Sequence, residues 1–249
     1  MRETLKTILP APLLNWYRQR RAELENAKNR GRSPSEVFSE IYRQGKWGAK
    51  GSSGSGSVES QIVQPYVTAI SAYLKSRVDE GLVVVDLGCG DFNIGRNFLD
   101  LCRTYIAVDV VDELIEDHKQ KYPPEKVRFC VLDIVDQELP DGDICFLRQV
   151  LQHLSNAQIA KILPKLSRYS AVFVTEHYPS SLTGVVPNKD KVQGAAIRLF
   201  ERSAVYLDQP PFNIPTYAIT TFLEVPGHSF GGGGDSGVIR TLKIDPARM

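Results

Sequence analysis

The sequence predicts an α/β fold of the doubly wound type, in which helices cover both faces of a mostly parallel, seven-stranded sheet. Two observations predict it. After residue 61, short apolar runs alternate with helical stretches, and this alternation is typical of parallel strands joined by right-handed crossovers. The last two predicted strands, 216–225 and 238–244, are joined across the glycine-rich loop 228–235, so we expect them to close the sheet as an antiparallel pair.

Residues 1–60 form a lead segment before the domain proper, which is expected to span 61–249. A basic, weakly amphipathic helix is predicted over 13–30, and Ser33-Pro-Ser-Glu36 has the spacing of a capping box that begins a second helix. The run 51–57 contains only glycine and serine, a composition typical of a flexible linker. The later helices are predicted at 61–77, 94–102, 112–121 and 155–167, between strands at 82–86, 104–110, 127–133, 143–147 and 171–175.

The first predicted strand ends in Asp86, and the chain then turns at once through Gly88 and Gly90. Glycine suits such a loop because the chain turns sharply and a ligand approaches the backbone amides. The loop departs from the dinucleotide fingerprint, since Asn93 replaces its third glycine and the next glycine is Gly95. The Asp86 carboxylate would repel a pyrophosphate, whereas it would attract a ligand with an ammonium and a sulfonium group. S-adenosylmethionine is such a ligand.

The segment 82–95 resembles motif I of the class I S-adenosylmethionine-dependent methyltransferases. The second predicted strand carries Asp109, an acid that can accept hydrogen bonds from both ribose hydroxyls. The third ends in Asp133, which with the amide of Ile134 resembles the pair that reads the adenine amino group in this family. The resemblance implies a Rossmann-like methyltransferase fold, S-adenosyl-L-methionine as the cofactor and methyl transfer as the reaction.

The residues expected to bind the cofactor lie at the carboxyl ends of the strands and in the lead segment. They are Asp86, Gly88, Cys89, Gly90, Asp109, Val110, Asp133, Ile134, Arg148, Gln149, Trp47 and Ser57. Arg148 and Gln149 begin the stretch 148–154, which resembles the motif that follows the fourth strand in this family, at the substrate mouth.

The lead segment resembles one found in a bacterial subgroup of these methyltransferases. The resemblance rests on Phe38, Ile41, Tyr42, Trp47 and the glycine-serine run, and it implies an N-terminal helical lid that folds over the cofactor. The alternative is that Tyr42 and Trp47 are packing anchors beside a disordered glycine-serine strip.

Two histidines are candidate catalytic bases. His153 and His177 each follow the carboxyl end of a strand, where open α/β sheets bind ligands. A base with a near-neutral pKa could take the proton of a hydroxyl acceptor, although either ring could instead only shape the pocket. His118 is expected on a solvent-exposed helix and His228 in a loop. Acids at metal-ligand spacing are missing near the fourth and fifth strands, so no metal is predicted.

The acceptor is expected to be a small molecule, methylated on an oxygen of a sugar or another metabolite. Asp208-Gln-Pro-Pro-Phe212 is similar to a motif of N-methyltransferases but is one residue too long, so we interpret it as pocket wall. Two other functions are open. A nicotinamide-dependent oxidoreductase or epimerase is opposed by Asp86 and Asn93, and a non-catalytic cofactor-binding partner subunit would need the same motifs as an enzyme.

Composition agrees with one soluble globular domain of 249 residues, 42% hydrophobic and 24% charged. The net charge of +1 gives no electrostatic case for nucleic acid or a membrane surface as a partner. Lys6, Pro10 and Pro12 interrupt the apolar start of the chain, so neither a signal peptide nor a spanning helix is predicted and a cytoplasmic location is expected. The four cysteines are expected to be reduced core residues. Oligomeric state is not predicted.

Overall fold

The computed structural model describes residues 13, 20, 23–49, 51–227 and 236–249. Its centre is one seven-stranded sheet in the order β3-β2-β1-β4-β5-β7-β6, with β7 antiparallel to both neighbours and every other pair of neighbours parallel. The strands are β1 (Val83–Leu87), β2 (Thr104–Asp109), β3 (Val127–Val131), β4 (Ile144–Arg148), β5 (Ala171–Tyr178), β6 (Ile219–Pro226) and β7 (Val238–Ile244). The predicted fold class is confirmed.

Five α-helices have bounds within the described ranges: α1 (Pro34–Arg43), α2 (Ser55–Val58), α3 (Ser60–Lys75), α4 (Asp112–Lys121) and α5 (Asn156–Ile162). The capping box before α1 is confirmed, since the Ser33 hydroxyl accepts from the Glu36 amide and the Glu36 carboxylate accepts from the Ser33 amide. Residues 13, 20 and 23–29 are helical, whereas residues 14–19, 21 and 22 of the predicted helix lie outside the described residues. His228 and the glycine run after it also lie outside them.

Four elements differ from their predicted form. The first three residues of the predicted strand 216–225 form a 3-10 helix, Thr216–Ala218, and β6 begins after it. The predicted helix 94–102 is a 3-10 helix, Gly95–Leu101. The predicted helix 155–167 changes to 3-10 at Leu163, because Pro164 has no amide hydrogen to continue the α-helical ladder. Strand β5 runs on to Tyr178, since β7 pairs beside it as far as Val238. Glu176 and His177 are therefore strand residues.

The core lies on both faces of the sheet, as the doubly wound prediction requires. On one face, Ile159 and Ile162 of α5 pack on alternate strand residues, which are Val85, Leu87, Cys145, Leu147, Val172 and Val174. On the other face, Ile70 and Leu74 of α3 pack on Val84, Ala107, Ile144, Phe146 and Phe173. This two-sided burial leaves the carboxyl ends of the parallel strands as the edge where a ligand can approach.

The lead segment covers that edge and is fastened to the insertion between β5 and β6. Asn29 Nδ2 donates to the Gln193 carbonyl at 3.0 Å, and Gln193 Nε2 donates to the Arg32 carbonyl at 2.6 Å. Trp47 Nε1 donates to the Ala195 carbonyl at 3.1 Å. The lead segment and residues 193–195 of the insertion therefore form one cover over the strand ends, which we call the roof.

All four cysteines are free thiols, with Cys145 buried and the others half-buried. Within the described ranges, no helix is long and apolar enough to cross a membrane.

Candidate active site

A cavity opens at the carboxyl ends of β1, β2 and β4, beneath the lead segment. It encloses about 1080 Å³ of space counted out to its open mouth. All twelve residues predicted to bind a cofactor line it, together with His153. The other lining residues are Pro34, Phe38, Tyr42, Ser53, Tyr66, Asp91, Ile94, Phe98, Tyr105, Leu132, Val135, Phe146, Val150 and Leu154.

The glycine loop after β1 forms the cavity floor in a left-handed conformation. Gly88 and Gly90 have φ of +81° and +54°, a region that disfavours side chains. A Cβ on Gly88 would lie 2.5 Å from Val150 Cγ2. The Gly90 amide donates to Asp109 Oδ2 at 3.0 Å, which ties the loop to the end of β2. At its two glycine positions this cradle has no side chains, so a ligand can contact the backbone there.

Two buried acids face this cradle. Asp86 accepts a hydrogen bond from the Tyr105 hydroxyl at 2.9 Å, and burial raises the pKa of its carboxyl to about 7. Asp109 also accepts from the Val111 amide at 3.1 Å, and burial raises its pKa despite these backbone bonds. A positively charged group in the cavity would favour the ionised form of both acids.

Arg148 brings a cation to the same place. Its guanidinium lies over the Tyr66 ring, 4.9 Å from the centroid, and burial lowers the pKa of the group. Among the described residues, its buried Nε and Nη2 have no hydrogen-bond partner. Such unpaired buried donors fit a ligand carboxylate, while Asp86 fits a ligand ammonium. The donor set therefore fits the amino acid part of S-adenosylmethionine.

Glu176 of β5 holds the turn that follows β4. Its buried carboxylate accepts from the Leu151 and Gln152 amides at 2.8 and 3.2 Å. Burial raises its pKa to about 8. The turn also contains Gln149, which has φ of +57° and donates its amide to the Thr175 carbonyl. In the sequence, the role of Glu176 is indicated by one feature, its position beside His177 at the end of β5.

His153 sits on this turn with its ring tilted on Trp47, the centroids 4.9 Å apart. Because a carbonyl only accepts, His153 Nδ1 donates to the Gly194 carbonyl at 3.1 Å. Burial, with the Lys191 ammonium nearby, lowers the pKa of His153 to about 3. The ring is therefore neutral at physiological pH, and the near-neutral pKa expected of a base is not found.

The structure does not bring His177 to the cavity. Its Nε2 donates to the Ser236 carbonyl at 2.7 Å, so the ring packs beside the connection between β6 and β7. This follows from the extra length of β5. The prediction for residues 208–213 is also corrected: they do not line the cavity, and Asn188 Nδ2 donates to the Pro210 carbonyl within the insertion instead.

His118 is buried, not solvent-exposed as expected. Its ring lies on the inner face of α4, and its Nε2 donates to the Gly90 carbonyl at 2.8 Å. Most residues of α4 around His118 are charged, and for this reason the sequence predicted a solvent-exposed helix.

The glycine-serine run is docked on the glycine loop. Asp91 Oδ2 accepts from the Ser53 amide at 2.9 Å and from the Ser57 hydroxyl at 2.6 Å. In return, the Asp91 amide donates to Ser53 Oγ at 2.8 Å. Gly56 lies so close to Gln149 that a Cβ there would overlap the Gln149 amide. The run makes specific contacts that composition does not reveal.

Comparison with known proteins agrees with this geometry. Residues 85–170 match a family model described as a methyltransferase domain. No curated protein matches the chain.

Among solved structures, the chain is similar to the Burkholderia thailandensis 1,6-didemethyltoxoflavin-N1-methyltransferase with bound 1,6-didemethyltoxoflavin and S-adenosylhomocysteine (14% identity, TM-score 0.51, covering 83% of this chain and 85% of that one). It is also similar to the N-terminal domain of EvdMO1 with bound S-adenosylhomocysteine (13% identity, TM-score 0.51, covering 83% of this chain and 95% of that one). A third similar structure is a Leishmania major S-adenosylmethionine-dependent methyltransferase (11% identity, TM-score 0.51, covering 82% of this chain and 80% of that one).

At these identities the structural similarities show the fold alone. The family-model match covers the glycine loop, the end of β2 and the turn after β4, which are the parts that build the cavity. Residues 85–170 therefore form a methyltransferase domain, and the sheet order and a cavity that fits S-adenosylmethionine agree with a methyltransferase that uses this cofactor.

Proposed function

We propose that this methyltransferase modifies a small molecule, on an oxygen atom that His153 helps to position. The observation that carries the proposal is the roof: α1 and the docked run cover the cavity, so an acceptor has to fit beneath them. The similar Burkholderia structure holds 1,6-didemethyltoxoflavin together with S-adenosylhomocysteine, which supports a small-molecule acceptor.

The cavity residues have distinct roles in this proposal. Asp86 binds the ammonium of the cofactor and Arg148 its carboxylate. Asp109 binds the ribose hydroxyls, and Asp133 with the Ile134 amide reads the adenine. When bound, S-adenosylmethionine supplies an electrophilic methyl group on a sulfonium, so the protein mainly has to align the acceptor and exclude water.

His153 contributes alignment to this reaction. With Nδ1 donating to Gly194, its Nε2 carries a lone pair that the Gln152 amide approaches at 3.5 Å. An acceptor hydroxyl that replaces this long Gln152 contact can donate to the lone pair and be held in the cavity. A ring with a pKa of about 3 takes no proton from a hydroxyl in the ground state, so His153 orients the acceptor and is not a general base. The hydroxyl proton becomes strongly acidic as the oxygen gains the methyl group, and it leaves to solvent through the open mouth of the cavity.

The test is a turnover assay with isotopically labelled S-adenosylmethionine and fractionated metabolite pools. We expect a low-molecular-weight product that gains one methyl group. Label found only in protein or nucleic acid would contradict a small-molecule acceptor. Tight cofactor binding without turnover on any pool would instead indicate a cofactor-binding partner subunit.

Substitution of His153 by Ala separates alignment from proton removal. We expect turnover to fall roughly tenfold, the effect of one lost hydrogen bond, while S-adenosylhomocysteine affinity is unchanged. Loss of a general base would reduce turnover by about 10²–10⁴-fold. A fall in that upper range, with a wild-type rate that depends on a near-neutral ionisation absent from the variant, would contradict the alignment role.

Cofactor affinity is expected to depend on pH through Asp86. Below its pKa of about 7 the carboxyl is protonated and cannot pair with an ammonium, so binding has to expel a proton. Calorimetry should therefore show S-adenosylhomocysteine binding about tenfold weaker at pH 6 than at pH 8. The Asp86→Asn variant is the control, because it removes this ionisation but leaves those of Asp109, Glu176 and the ligand. Equal pH dependence in both proteins would contradict the assignment.

A further inference from the structure

The peptide that joins Gly90 to Asp91 is held from both sides. On one side, its carbonyl accepts from His118 Nε2 at 2.8 Å. On the other side, its amide donates to Ser53 Oγ at 2.8 Å. A peptide plane points its carbonyl and its amide in opposite directions, so the bond from His118 fixes where the Asp91 amide points.

The His118 bond is shielded from water. The ring packs against Phe92, Tyr122 and Phe129, with centroid distances of 5.9, 6.3 and 5.3 Å. Its Nδ1 has no hydrogen-bond partner among the described residues, so the ring serves the loop through Nε2 alone. A carbonyl left without a partner in such surroundings loses its hydrogen bond without gaining one from water. The loop would have to rearrange.

The loop needs this support because its backbone is strained. Gly90 and Phe92 are both left-handed, with φ of +54° and +59°, and the second of these carries a bulky side chain. The neighbouring Gly90 amide donates to Asp109. Turning the 90–91 peptide would break the His118 and Ser53 bonds together, and it would shift the Gly90 amide from Asp109.

We propose that His118 is a positioning residue that holds the 90–91 peptide in the one orientation that serves both the cofactor site and the docked lead segment. The cofactor half of this inference rests on the proposed site. The lead-segment half rests only on the contacts of Ser53 and Asp91. His118 itself does not line the cavity, so it acts through the loop.

Two variants of His118 separate positioning from packing. Leu fills the aromatic pocket and donates nothing, whereas Gln also fills it and can place its amide nitrogen near the position of Nε2. We expect His118→Leu to bind S-adenosylhomocysteine about tenfold more weakly than wild type, and His118→Gln to restore most of that affinity. Melting temperatures of the ligand-free proteins provide the packing control. Equal affinity of the Leu variant and wild type would overturn the cofactor half.

Limited proteolysis between residues 48 and 57 tests the other half without any ligand. The Leu variant should be cut several-fold faster than wild type at a temperature where both are folded, and the Gln variant should resemble wild type. Equal cleavage of all three would overturn the coupling to the lead segment. If wild type did not bind S-adenosylhomocysteine, the proposed cofactor site would fail, while this comparison would still decide whether His118 positions the loop.

Discussion

Replacing Asp109 by Ala should weaken S-adenosylhomocysteine binding by on the order of 10³-fold. The carboxylate is proposed to accept from two ribose hydroxyls, and each charge-assisted bond contributes roughly 1.5–3 kcal/mol. It also accepts from the Gly90 and Val111 amides, so its loss removes one of the hydrogen bonds between the glycine loop and β2 and leaves those from Gly88 and Cys89 to Val108. Calorimetry of the two proteins at one pH measures the effect.

Asp112→Ala is the matched control for this experiment. Asp112 lies three residues further along, is exposed and begins α4, so its removal changes the net charge equally without touching the cavity. We expect its affinity to equal that of wild type. Similar losses in both variants would indicate a general electrostatic effect, and an unchanged Asp109→Ala would remove the ribose contact from the proposal.

The second large effect is expected at Gly56, in the middle of the glycine-serine run. A Cβ there would lie 1.9 Å from Gln149 Oε1, so the end of the Gln149 side chain has to leave its place in the cavity wall. Gly56→Val should therefore disturb the contact between the run and the turn after β4. A displacement of this kind misaligns the acceptor, and turnover should fall on the order of 10²-fold.

Ser55→Ala tests whether the identity of the run or only its flexibility matters. It lies one residue away in α2 and lowers polarity without adding bulk against Gln149. We expect it to keep normal turnover, and we expect Gly56→Val to be cut faster than wild type by protease within 48–57 when S-adenosylhomocysteine is present. If Gly56→Val were fully active and were cut no faster than wild type, the run would act only as a linker, which would contradict this prediction.

The parts of the site that could be predicted from the sequence are those formed by short local patterns at the ends of parallel strands. The glycine loop and the acids Asp86 and Asp109 were predictable because a buried strand, a sharp turn and a charged strand end are each local patterns. Parallel topology then brings such strand ends to one edge of the sheet. The cavity consequently contains every residue predicted to bind the cofactor.

Features that depend on distant partners were not predictable in this way. His118 looked exposed because its neighbours on α4 are charged, and its burial depends on Phe92 and Phe129 from other elements. The place of His177 depends on how far β7 pairs along β5, which no local pattern sets. The low pKa of His153 depends on Lys191 and on burial beneath the roof. Each case requires knowledge of long-range packing.

The fastening of the roof sets the order in which the site can form during synthesis. Asn29 meets Gln193 across 164 positions, and Trp47 meets Ala195 across 148. The lead segment thus leaves the ribosome long before the residues that fasten it exist, and until then Trp47 Nε1 lacks the Ala195 carbonyl to which it donates. Contacts of such sequence separation form late because a long loop must close first. A complete binding site is therefore among the last features of this chain to appear.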